Sequence, residues 1–221
     1  MNFAAYFLGY VGLTVMTLLP IINPVATAVQ LIGIGAHLKP AARERQIRKA
    51  CIYATGIMVA FLLLGTLIMQ VFGISIPGLR IAGGLVIAFL GFRMLFPDAV
   101  PAMSAEALAE ARAKADISFS PLAMPSLAGP GSIATVISMS STIRHEEQGA
   151  RVIVEHVGVI IGIAVAALVC YFVLRAAEQL SRKLGSAGIG AIARIMGFLM
   201  ICIGVQFLIN GVGELLHAQA A

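Results

Sequence analysis

The sequence predicts an all-α membrane protein of six transmembrane helices, built as a 3+3 inverted repeat in which spans one and four are discontinuous. Three observations carry that prediction. Of the 221 residues, 60% are hydrophobic and 11% are charged, whereas soluble domains carry about a quarter charged residues. Apolar runs are separated by short charged loops without alternating polar and apolar positions, which selects a helical bundle over a β-barrel. Two of those runs, about a hundred residues apart, are interrupted by the same kind of proline-containing break.

The first run reaches from Phe3 to about Ala36. Some ~34 residues at ~1.5 Å each would make a helix of roughly 50 Å, too long for a hydrocarbon core of ~30 Å. Pro20 removes a backbone donor and should end or kink the arriving helix near Leu19. Asn23 reads as an N-cap, with Pro24 at the first position of a new helix. The strongly basic loop from His37 to Lys49 follows, then span two from about Ala50 to Phe72. After the turn at Gly73 to Gly78, span three runs from about Pro77 to Phe96, where Gly83, Gly84 and Gly91 offer close helix contacts.

Pro97 to Asp116 is Ala-rich and charged. Ser104, Glu106, Glu110 and Lys114 read there as a capped, solvated helix. The expected organisation is a first repeat at 1–97, a cytoplasmic linker at 98–117 and a second, inverted repeat at 118–221. Span four covers about Ser118 to Thr142 and is broken where Pro125 closes one piece and Gly129-Pro130 opens the next. Span five runs from about Ile153 to Leu174 and span six from about Ile192 to Leu215. The glycines between Arg182 and Gly190 follow no strand, so they read as a flexible turn rather than a phosphate loop.

Twelve of the 15 basic residues fall in loops 1–2, 3–4 and 5–6, leaving Arg80, Arg144 and Arg151 for the other side. The positive-inside rule makes those loops cytoplasmic and both termini periplasmic. The positive charge thus serves orientation and anionic lipid headgroups, and no nucleic-acid partner is expected. Cys51, Cys170 and Cys202 are scattered, as are the four histidines, so neither a disulfide framework nor a metal site is expected. No nucleophile, base and orienter set is visible, and the chain is read as no enzyme, without a cofactor.

Half-helices starting at Pro24 and Pro130 would present unpaired N–H groups and positive dipole ends to one cavity. Asn23, Thr27, Ser126, Ser132 and Thr135 add neutral donors and acceptors. The expected substrate-binding set is Asn23, Pro24, Thr27, Ser126, Gly129, Pro130, Gly131 and Ser132, suited to a small polar solute bearing a carboxylate. Carbonyls at the unwound segments could serve an amine or a sodium ion, so coupling to sodium or to protons stays open. Leu79-Arg80-Ile81-Ala82-Gly83 is echoed by Ala193-Arg194-Ile195-Met196-Gly197. Arg80 and Arg194 are read first as anchors snorkelling to headgroups, and alternatively as a matched pair acting in gating or on the substrate carboxylate. Glu155, His156 and Glu214 are assigned to solvated span ends, and Gln30, Gln206 and Asn210 to interhelical hydrogen bonds.

Ile22-Asn23-Pro24-Val25, Ile74 to Gly84, and Pro121 to Ser126 with Ala128-Gly129-Pro130-Gly131 together resemble the MarC family of bacterial inner-membrane proteins over nearly the whole chain. Ala26 departs from the glycine of that pattern. The resemblance implies six spans and membership with neutral amino acid transporters. The resulting expectation is a secondary transporter, exporting small neutral amino acids or similar small polar solutes. An aquaporin-like channel is the alternative, weakened because the second break is Gly129-Pro130-Gly131 without an Asn. Drug efflux is a further alternative, weakened by the absence of Trp.

Overall fold

The computed structural model describes residues 3–35, 38–96, 116–146 and 150–220, and every element among them is helical. Helices α1 (Phe3–Ile22) and α2 (Pro24–Ile34) form a pair bent by 41° over Tyr6–Ile22 and Pro24–Ile34. Next come α3 (Pro40–Val71) and α4 (Ile76–Leu95). Segment α5 (Ser118–Leu127) and helix α6 (Pro130–Glu146) follow, bent by 60°. The chain closes with α7 (Ala150–Arg175) and α8 (Ala177–Ala220). Among the described residues four helices are long and apolar enough to cross a membrane, and up to six spans result when each bent pair counts as one. The solvated helix expected between Ser104 and Lys114 lies outside the described residues.

Four boundaries correct the sequence reading. The first helix does not stop near Leu19 but carries Pro20 inside it and ends at Ile22. A transmembrane helix tolerates proline where its neighbours satisfy the freed backbone groups. The break falls at Asn23, in the left-handed region (φ 49°, ψ 70°) that Asn enters more easily than most side chains. The basic stretch is helical from Pro40 onward, because a proline at the first position followed by Ala, Arg, Glu, Gln and Lys is a strong helix start. Segment α5 is not a regular half-helix. Ser120 and Met124 are extended, as residues before Pro121 and Pro125 must be, and the bonds Leu122 N–H to Ile117 O and Ala128 N–H to Ala123 O close wide i to i+5 turns. Lastly, the glycine-rich stretch is helical on both sides of Gly185, whose positive φ of 62° alone interrupts α8.

The packing follows a two-fold pattern. Helix α3 packs on α5, α6 and α7, while α7 packs on α1, α2 and α3; α4 lies on α6 as α8 lies on α2. Helices α4 and α8 run antiparallel with their backbones in contact. A Cβ built at Gly84 would stand 2.6 Å from the Gly204 carbonyl oxygen, and one at Gly91 would stand 2.6 Å from that of Gly197. Only glycine permits this approach. Leu18, Leu31, Ile47, Met58, Leu62, Leu122 and Ile163 fill the interior, and Leu64, Leu67, Phe89, Phe172, Phe198 and Ile209 point outward. An apolar exterior over an apolar interior is what lipid as solvent allows.

Chain direction defines two ends. The starts of α1, α4 and α7 and the ends of α6 and α8 lie at one, the terminal end; the starts of α3, α5 and α8 lie at the other.

Candidate functional site

Asn23 is buried, and its side chain is spent on the fold. Its Oδ1 accepts from Ala26 N–H at 3.2 Å, its Nδ2 donates to Met94 Sδ at 2.9 Å, and its carbonyl accepts from Thr27 Oγ1 at 3.3 Å. Ala26, at the position where a glycine was expected, is exposed. Pro24 and Thr27 are buried beside it. At the second break Ser132 Oγ donates to the Gly129 carbonyl at 2.9 Å and Thr135 Oγ1 to the Gly131 carbonyl at 2.8 Å, both hydroxyls being buried. Ser126 Oγ donates to Gln30 Oε1 at 2.7 Å, tying α5 to α2. Pro130 is exposed and Gly129 partly buried.

The two breaks lie in one layer. A Cβ at Gly131 would stand 3.2 Å from Ile21 Cγ2 and 2.9 Å from Ile87 Cγ1. Ile21, Ile87 and Met200 form a small buried cluster, flanked by Met94 and Ile203.

Above that cluster, toward the terminal end, is an open cavity of about 1130 Å³ bordered by α1, α4, α6 and α8 with Val159 of α7. None of the eight substrate-binding residues expected from the sequence lines it; Arg80 does. Ile203 both lines the cavity and packs on the apolar cluster, so the cavity floor is the layer of the two breaks.

Arg80 corrects the snorkelling reading. Its side chain is 11% exposed, and the guanidinium is partnered on several sides. Nε donates to Ser138 Oγ at 2.7 Å and Nη2 to Thr142 Oγ1 at 2.6 Å, while Nη1 pairs with the Glu214 carboxylate. A cation at this depth persists only when such partners replace water. Ser138 and Thr142 are four apart and share a face of α6. Glu214 is exposed, as a solvated span end was expected to be, yet it faces the cavity, and a stripe of Gln206, Asn210 and Glu214 at four-residue spacing brings polar groups to the cavity wall. Gln206 Nε2 donates to Asn210 Oδ1 at 2.8 Å within α8, not between helices as expected. That spacing was the signal in the sequence that marked the wall.

Arg194 is exposed and stands apart from Arg80. Gly84 opposite Gly204 and Gly91 opposite Gly197 set the antiparallel register of α4 and α8. In that register the two arginines are about fourteen residues, or roughly 21 Å, apart along the pair, at opposite ends. They are matched in sequence but cannot hold one solute together. Glu155 also departs from its assignment, since it is buried and accepts from Tyr6 Oη. His156 is held by Val152 O through Nδ1 and by Ser140 Oγ through Nε2.

The opposite end is tied by ion pairs. Arg43 pairs with Glu178, Lys49 Nζ lies 3.0 Å from Asp116 Oδ2, and Glu44 takes both Arg175 at 3.5 Å and Tyr171 Oη at 3.0 Å. Hydrogen bonds from the Ser118 hydroxyl and N–H, helped by Lys49, hold the Asp116 carboxyl down at about 2. Arg43 likewise lowers Glu178, first by its hydrogen bond and then by its charge. Among the described residues no cluster of His, Cys, Asp or Glu is placed to hold a metal ion.

The chain matches the model of the family described as MarC family integral membrane protein over residues 8–216. It is 46% identical over 211 residues to the inner membrane protein MarC of Salmonella typhimurium, covering 93% of this chain and 95% of that protein. Proteins of the same name from Citrobacter koseri and Escherichia coli O1:K1 / APEC are each 44% identical over the same shares. No solved structure matches. With the family motifs standing at the two helix breaks and on the wall of the cavity, the chain belongs to the MarC family of integral membrane proteins.

Proposed function

We propose that this protein is a secondary transporter of small neutral amino acids or similar small polar solutes in the bacterial inner membrane, working in the export direction. The observation that carries the reading is the cavity of about 1130 Å³ that bottoms on an apolar cluster at the level of two broken spans and holds a buried guanidinium in its wall. Fitted ligand pockets are about 300–1,000 Å³, so this one is a vestibule with a polar subsite. In inverted-repeat transporters, solutes bind near mid-membrane where helices are discontinuous, and rocking of one repeat against the other alternates access. In that scheme Asn23-Pro24 and Gly129-Pro130-Gly131 meet the solute once the Ile21, Ile87 and Met200 layer parts. The twelve-to-three charge asymmetry supports an orientation with the ion-paired end in the cytoplasm and the vestibule in the periplasm.

Proteoliposomes test the reading. Labelled alanine or threonine should enter saturably, and faster into vesicles preloaded with the unlabelled solute. Unsaturable entry with rapid vesicle swelling would instead mark a channel.

A further inference from the structure

The buried guanidinium and the carboxylate beside it are supplied by different helices, and their surroundings differ. Arg80, from α4, is held on two nitrogens by Ser138 and Thr142 of α6, and its side chain is 11% exposed. Glu214, from α8, is 42% exposed on the cavity side. One partner is fixed and the other has room to turn. We propose that Arg80 and Glu214 form a split zwitterion site: a solute's carboxylate takes the Nη1 face of Arg80 in place of Glu214, and the freed Glu214 carboxylate receives the solute's ammonium group. The assignment rests on the transporter reading above and adds which residue reads which end of the solute.

Charge conservation gives the pair its selectivity. Before entry the two charges neutralise each other; after entry each faces the opposite charge of the solute, and the net charge of the sheltered site is unchanged. A monocarboxylate without an amine would displace Glu214 and give it nothing, leaving an uncompensated negative charge. An amine without a carboxylate would compete with Arg80 for Glu214 and strand the guanidinium. Rejection through unpaired groups is a stronger filter than attraction alone. Ser138 and Thr142 keep Arg80 in position throughout, so only the Glu214 side chain moves.

Calorimetric binding to the purified full-length chain tests this with three probes of similar size: L-alanine, L-lactate and L-alaninamide. Wild type should bind alanine at least about tenfold more tightly than either singly charged analogue. Glu214→Gln should bring alanine and lactate within about threefold of each other, because the amine has lost its charged acceptor. Glu214→Asp should keep the preference for alanine. An alanine to lactate ratio that stays at its wild-type value in Glu214→Gln overturns the split site while leaving a carrier that binds alanine. So does a folded Glu214→Gln protein that binds neither ligand. Should that variant fail to fold, the wild-type comparison decides, since lactate or alaninamide binding as tightly as alanine overturns the pairing. Wild type binding none of the three overturns the pairing and the transporter reading together.

Discussion

Replacing Gly204 by alanine tests the seam between α4 and α8. The added Cβ would stand 2.6 Å from the Gly84 carbonyl oxygen, 2.7 Å from Ala88 N and 2.9 Å from Ala88 Cβ. A carbon against a carbonyl oxygen sits at about 3.3–3.6 Å, so α4 and α8 must part by roughly 0.7–1.0 Å at this level. Backing away is obstructed, because a Cβ at Gly83 would already be 2.6 Å from Ala134 Cβ on α6. Overpacking of this kind costs about 1–3 kcal/mol. Alanine also gains about 1 kcal/mol of helix propensity over glycine, and Gly190→Ala isolates that gain, since a Cβ at Gly190 meets nothing within 4 Å. The two variants should differ by about 2–12 °C in Tm, at roughly 2–4 °C per kcal/mol for a chain of this size. The sequence contains no Trp, so unfolding is followed with a thiol-reactive fluorophore that reaches buried Cys51 and Cys170, after exposed Cys202 is replaced by Ser. Equal melting of Gly204→Ala and Gly190→Ala would refute the close backbone contact.

Asn23→Ala should lose about 1–2 kcal/mol of stability through the cap and the left-handed backbone, and Asn23→Gly only a few tenths, measured by thermal melting in detergent. Arg80→Lys should cut alanine uptake in proteoliposomes about tenfold, because a point cation cannot hold Ser138, Thr142 and an anion in one plane, while Arg194→Lys stays within about twofold. For Asp116, whose carboxyl is lowered from 3.8 to about 2, the lowered value means a contribution that is whole above pH 4 and lost as pH falls through 2. The stability difference between wild type and Asp116→Asn should therefore shrink between pH 4 and 2 in detergent melts, with no change between pH 5 and 8. Reporter fusions after Lys183 and at the C-terminus should label opposite sides of the membrane, the former cytoplasmic; the reverse labelling would invert the assignment.

Helix starts were legible in part: Asn23-Pro24 was read as one, whereas Pro40, which opens α3, was read as part of a loop. Asn23 caps as its chemistry requires, and Ser75, left in a turn by the sequence reading, caps α4 with its Oγ accepting from Gly78 N–H at 3.1 Å. Where a helix stops was less legible, because Pro20 and the Arg182 to Gly190 stretch are decided by neighbouring helices rather than by propensity. The burial of Arg80 could not be read from its own surroundings in the chain. Its partners Ser138, Thr142 and Glu214 are 58 to 134 residues away and meet only in the bundle. Glu155 was misplaced for the same reason, being one turn inside α7 yet covered by Tyr6 from α1. The seam did have a signal: Gly84 and Gly91, and Gly197, Gly204 and Gly211, each recur at seven residues.

That seven-residue rhythm closes the α4 and α8 pair like a zip. Beside each close backbone approach the other helix seats a side chain in the space the glycine leaves: Phe207 against Gly84, Ile201 against Gly91, Met94 against Gly197 and Ala88 against Gly204. Knobs seated in holes must unseat before two helices can turn or slide past each other, and here several would have to lift together. The glycines therefore do more than let the helices touch: they cut notches that hold the pair in one register.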